Sequence, residues 1–161
     1  MNRRLRCVLL LLIVVFFNQC QQSPSNSVRE QQISFIKEGN LSILHSESQA
    51  IATFSIEIAT SPYERQTGLM YRSQLAKDAG MLFVFEESEL RNFYMKNTLI
   101  PLDLIFIDPD FKIVHIHHNA TPNNISSIAS QLPAQYVLEI NGGLSNQLGI
   151  QKGMYITYSK I

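Results

Sequence analysis

Residues 80–85 read Gly-Met-Leu-Phe-Val-Phe, six positions without a polar side chain. A strand with one wet face alternates apolar and polar residues, so this run fits a strand covered on both faces. It calls for a sheet with packing on each side. Weaker strand signals surround it. Phe54, Ile56 and Ile58 alternate with Ser55, Glu57 and Ala59, and residues 101–108 place Leu102, Leu104 and Phe106 on one face. Residues 90–96, 111–117, 136–140 and 154–158 predict further strands, with Asp108-Pro109-Asp110 as a turn. Gly39-Asn40, between the apolar-rich segments 33–37 and 41–45, predicts a hairpin. Ser61, Pro62 and Glu64 spell a helix start with a capping box, and Gly68 ends that helix within two turns. Residues 144–148 predict a single helical turn, and 121–133 a polar surface loop. The pattern predicts a mainly β fold, a β-sandwich or rolled sheet, with one or two short helices.

The first residues read as an address. Arg3, Arg4 and Arg6 precede an unbroken apolar run from Val8 to Phe17, the layout of a secretory signal. The run is shorter than the about 20 residues that a membrane-crossing helix needs. Cys20 follows, and then a polar stretch rich in Gln, Ser and Asn that lacks the apolar residues of a core. The resulting division is a signal peptide at 1–19, a lipidated Cys20 with a flexible tether to 32, and one β-rich domain at 33–161. A mature chain whose only thiol is its first residue resembles a bacterial lipoprotein, held by acyl chains such as palmitate, exported, and resident in the cell envelope. Phe17, Asn18 and Gln19 depart from the Leu and small residues usual before such a cysteine. Only Cys7 and Cys20 exist, so the mature chain has no intramolecular disulfide to form. Arg3, Arg4 and Arg6 lie where no acidic residue stands, which leaves the rest of the chain mildly acidic. Without a basic stripe, nucleic acid is excluded as a partner.

Several separated motifs identify the body. Arg65-x-x-Gly68-Leu69-Met70-x-Arg72, Gly80-Met81-Leu82-Phe83-x-Phe85 and Met95-Lys96-Asn97-Thr98-x-Ile100-Pro101-Leu102-Asp103 occur in that order. Val137-Leu138-Glu139 with Gly143, then Leu148-Gly149-Ile150 and Gly153, follow. Together they resemble the family of domain of unknown function 192, also called uncharacterised protein family 0127, over residues 54–158. Tyr94 stands where that family usually has Trp, which keeps an aromatic face and adds a hydroxyl. The resemblance implies a compact β-rich fold, often behind a signal peptide, and implies no activity.

The polar residues of these motifs are the candidate site. Arg65 and Arg72 offer guanidinium forks for a carboxylate or phosphate; the alternative is that they pair with Asp103, Glu57 or Glu139 and fasten the helix to the sheet. Lys96, Asn97 and Thr98 form a polar connection between strands, where binding groups are often placed, or simply a turn with Asn97 left-handed. With Tyr94 and Asp103, they make Arg65, Arg72, Tyr94, Lys96, Asn97 and Asp103 the expected lining of a site for a small polar or anionic molecule, or for a partner protein. Catalysis is the rival: an envelope hydrolase or lyase acting on saccharide or peptide, with Asp103 as base and Lys96 as stabiliser. A third reading is a structural protein of the membrane surface. No nucleophile elbow, phosphate-binding glycine loop or cofactor motif appears, so no cofactor is expected. His115, His117 and His118 lack a nearby acidic or Cys partner for a metal, and Met70, Met81 and Met95 read as core rather than as copper ligands.

Overall fold

The computed structural model describes residues 33–46 and 49–161. The expected signal peptide, Cys20 and the tether lie outside the described residues. Nine strands and two short helices follow in chain order: β1 (Gly39–Ser46), β2 (Gln49–Ala59), α1 (Pro62–Thr67), β3 (Ala79–Glu89), β4 (Asn92–Phe93), β5 (Leu102–Ile107), β6 (Ile113–Ala120), β7 (Ile128–Ala129), β8 (Ala134–Asn141), α2 (Leu144–Gln147) and β9 (Tyr155–Lys160). Seven strands form one sheet in the order β6-β5-β8-β3-β2-β1-β9, and β4 pairs with β7 as a separate ribbon. All pairings are antiparallel except β2 with β3, whose crossover carries α1.

The doubly buried strand of the sequence is β3, fourth of seven, with residues 79–83 all buried. The sheet curls until its two edges meet. Lys112, just before β6, bridges to Tyr155, and Ile113 and Ile156 each donate an amide at 2.8 Å, to Met154 and Phe111 respectively. Leu41, Phe54, Leu82, Leu138, Ile105, Ile113 and Ile156, from all seven strands, meet in one cluster, as the inside of a roll requires. The opposite face of the central strands carries Met81, Phe83, Leu104, Phe106 and Val137. Leu69, Met95, Ile100 and Ile128, from the segments around α1 and the β4–β7 ribbon, pack on it. Of the two β architectures expected, the rolled sheet is the one formed.

Helix α1 has the predicted capping box. The Ser61 hydroxyl accepts from the Glu64 amide, and Glu64 accepts from the amides of Ser61 and Thr60. These two backbone donors, Ser61 first, hold the Glu64 carboxyl down to about 2.

Three expectations are corrected. Gly39-Asn40 is no hairpin turn: both residues lie inside β1, and the β1–β2 pairing closes at Ser46 with Gln49. Gly39 is needed because β9 lies so close that a Cβ there would collide with the carbonyl of Ser159. Residues 90–96 hold only the two-residue β4, although Met95 is buried and Tyr94 exposed as the alternation predicts. The 121–133 segment is not structureless, since Ile128 and Ala129 form β7 and pair with β4.

The cleft above Glu139

Strand β8 runs through the middle of the sheet, and Glu139 is its one acidic residue. It pairs with Met81 of β3 and Leu104 of β5, so its side chain shares their outward face. The residue is 5% exposed and floors a cleft of about 360 Å³ beneath Arg65, Gly68 and Met70. Phe83, Phe85, Phe93 and Tyr94 wall it. Phe93 meets Phe83 edge to face at 5.2 Å and Phe85 at 6.4 Å, which fixes the aromatic wall. Among the described residues no donor reaches the carboxyl, and burial alone pushes it up to about 8.

Gly68 keeps the approach to Glu139 open. It has φ +45, and a Cβ there would stand 2.9 Å from the Phe83 ring and 4.0 Å from Glu139 Oε2. The two guanidiniums of the cleft are already engaged. Arg65 donates to the carbonyls of Thr60 and Val84, and Arg91 to those of Ala134 and Glu87. Both lie over the Phe85 ring, at 5.1 and 3.9 Å.

A second depression, of about 380 Å³, lies on the far side of Gly68 and Met70, between Ile36, Glu57, Tyr63, Tyr71 and Arg72. Arg72 is 8% exposed, and its Nη2 stands 2.6 Å from Glu57 Oε2. That contact lies off the N–H direction, so the pair is held by charge, and among the described residues Arg72 Nε has no acceptor. The other Glu57 oxygen accepts from the Ile36 amide at 2.9 Å. Arg72 thus follows the ion-pair reading of the sequence, fastening the segment after α1 to β2.

The expected site residues separate. Arg65 and Tyr94 line the Glu139 cleft, and Arg72 lines its neighbour. Lys96 is exposed and borders neither. Asn97 has φ 58, as a left-handed turn requires. Its Nδ2 donates to the Tyr71 hydroxyl at 2.7 Å, and its carbonyl accepts from the Tyr71 amide, which ties the turn to the segment after α1. Asp103 is fully buried and shares a face with Ile140, opposite to that of Glu139. Its carboxylate accepts from the amides of Asn119, Gly143 and Ser145 and from the Ser145 hydroxyl, at 2.6–2.8 Å. A group enclosed by four donors braces the β5, β6 and α2 ends and is closed to substrate. His118 Nδ1 meets the same Ser145 hydroxyl at 2.8 Å. Ser145 lies between His118 and Asp103, whereas a nucleophilic triad places the imidazole in the middle. His115 stacks on Phe106, and burial, helped by His117, lowers its basicity. Met81 and Met95 are core residues, and Met70 borders both depressions.

Comparison with known proteins places this architecture. The family model for domain of unknown function 192, described as an uncharacterized ACR, matches residues 43–158. The chain belongs to that family. A Sinorhizobium meliloti 1021 protein, provisionally described as a transcription regulator, is 38% identical with a TM-score of 0.72; the match covers 79% of this chain and 97% of that one. A Novosphingobium aromaticivorans DSM 12444 protein of unknown function is 35% identical with a TM-score of 0.69, covering 73% and 83%. No curated protein matches the sequence. The motifs by which the chain resembles the family converge in space: Arg65, Gly68, Phe83, Thr98 and Glu139 come from four separate motifs and border one cleft. Sequence reasoning treated Glu139 only as a possible partner for arginine. The signal was a single acid in the apolar run Val137-Leu138-Glu139-Ile140.

Proposed function

We propose that this protein is an exported envelope module that binds a small polar molecule in the cleft above Glu139 and does not transform it. The observation that carries the reading is a buried, unpartnered carboxyl on the floor of an aromatic-walled cleft. An aromatic-walled cleft of this size with a few placed polar groups is the usual form of a small-molecule site, typically about 300–1,000 Å³. An unpaired buried acid costs stability, so its presence in a packed sheet favours a role beyond folding. Binding is favoured over catalysis because Glu139 is the only carboxyl lining the cleft, with no neighbouring base, thiol or metal-binding cluster among the described residues. The rival pairing of Asp103 with Lys96 finds no support, since Asp103 is enclosed by its own four donors and Lys96 borders neither depression. A diacylglycerol on Cys20, with residues 21–32 as the tether, would hold the cleft near a membrane surface.

A mildly acidic body without a basic stripe argues against nucleic-acid binding by this chain, unlike the role suggested for the Sinorhizobium relative. Native mass spectrometry of the protein from its own membranes tests both halves of the proposal. The expected mass shows cleavage before Cys20, added acyl chains and a retained small molecule that Glu139→Gln loses. A bare chain that the substitution leaves unchanged in every binding measurement would sink it.

A further inference from the structure

We infer that the molecule taken by this cleft is an organic cation, an ammonium group on an apolar stem, whose charge pairs with Glu139. The inference rests on the reading that the cleft holds a ligand, and it adds the ligand's charge.

Arg91 is engaged through all three of its nitrogens and Arg65 through Nη1 alone; both lie over Phe85, and neither pairs with Glu139. Arg72 lies across Met81, two strands from Glu139, against Glu57. Glu139 is thus the polar group whose partner is missing. Once ionised its oxygens only accept, so the ligand group that both takes the place of the proton and satisfies the carboxylate is a charged donor. Phe83, Phe93 and Tyr94 offer apolar and π surface to the stem of such a cation. A carboxylate or phosphate ligand would have only the O–H of the protonated acid to accept from, and would be repelled once Glu139 ionises.

The proton inventory separates these possibilities. The charged or titratable groups around Glu139 are Arg65 at α1, Arg91 before β4, Tyr94, and in its own row Glu57 with Arg72 on one side and His117 beyond Leu104 on the other. None of them offsets the burial of Glu139, which pushes its carboxyl up to about 8. At pH 7 it therefore holds its proton. An ammonium ligand displaces that proton, and binding releases close to one proton per ligand. A neutral or anionic ligand leaves it in place.

The test uses the full chain in lipid nanodiscs and three probes of one shape: benzylammonium, benzyl alcohol and benzoate. NMR follows the amides of Gly68, Phe83 and Tyr94 and the carboxyl carbon of Glu139, and calorimetry in two buffers of different ionisation enthalpy counts protons. Benzylammonium is expected to bind at least tenfold tighter than either analogue at pH 7. It should move the Glu139 carboxyl to its ionised shift and release about one proton. Below pH 8 its affinity should fall about tenfold per pH unit, and Glu139→Gln should remove its advantage. If the alcohol or benzoate bound in the cleft as well as benzylammonium, the charge assignment would be wrong while the cleft remained a binding site. Silence of all cleft resonances with all three probes would overturn both readings. Proton release is measured on the unaltered chain, so the result does not depend on the variant folding.

Discussion

Replacing Glu139 by glutamine is expected to stabilise the protein in alkaline solution and leave it almost unchanged in acid. The carboxyl rises from an ordinary 4.5 to about 8 on folding, and burial is the cause. The sign follows from which state holds the proton. Below pH 4.5 folded and unfolded chains both carry it, and the group costs nothing. Between pH 4.5 and 8 the unfolded chain has released its proton and the folded chain has not, so stability falls as pH rises. Above pH 8 the loss is complete. Each unit of difference is about 1.4 kcal/mol, so the full penalty is roughly 5 kcal/mol. That is a large share of the ~5–15 kcal/mol that holds a domain together. Glutamine has the same shape and no charge to bury. Urea unfolding of both proteins at pH 5, 7 and 9 reads the effect directly. Near-equal midpoints at pH 5 and a gap of several kcal/mol at pH 9 are expected. A gap that is the same at all three pH values would show that Glu139 is solvated or paired when folded, and the argument for an empty acceptor in the cleft would go with it.

Other perturbations probe the frame around the cleft. Asp103→Asn turns an amide donor toward the Ser145 amide and should cost about 2–4 kcal/mol by the same unfolding assay, since bonds to a charged acceptor are each worth roughly 1.5–3 kcal/mol. No loss would remove Asp103 from its bracing role. Arg72→Met alone leaves Glu57 buried without its cation and should cost about 3–5 kcal/mol, whereas Arg72→Met with Glu57→Leu should recover most of it. Equal losses in the single and double variants would refute the pairing. Gly68→Ala places a methyl 2.9 Å from the Phe83 ring at a φ of +45; a loss of about 1–3 kcal/mol is expected, with displaced Phe83 and Glu139 resonances.

The central layout was legible because it is written in runs of like residues. Residues 80–85 announce a strand covered twice, and parity alone puts Leu102, Leu104 and Phe106 on one face and Ile105 and Ile107 on the other. The α1 start was readable because Ser61, Pro62 and Glu64 act over three residues of chain. What escaped depends on partners distant in sequence. Gly39 looks like a turn until β9, some 120 residues on, is seen to press against it. The two-residue strands β4 and β7 define each other and are invisible singly. The site divides in the same way. Arg65 and Tyr94 were named from their motifs, but which face of the sheet each polar residue takes is fixed by register. Register sends Asp103 inward to a closed set of donors and Glu139 outward to an open cleft.

The seam of the roll governs the order in which the chain can complete itself. Among the described residues β1 is the first strand, and one of its edges is covered by β9, the last. Until residues 155–160 arrive, β1 presents a row of unpaired amides and carbonyls, the template on which chains aggregate. A chain emerging from its N-terminus therefore carries an unfinished edge until residues 155–160 are out. Contacts between residues more than 110 positions apart also make closure slow. A loss of only a few C-terminal residues would uncover that edge for good, leaving the cleft residues intact on a sheet prone to join its neighbours.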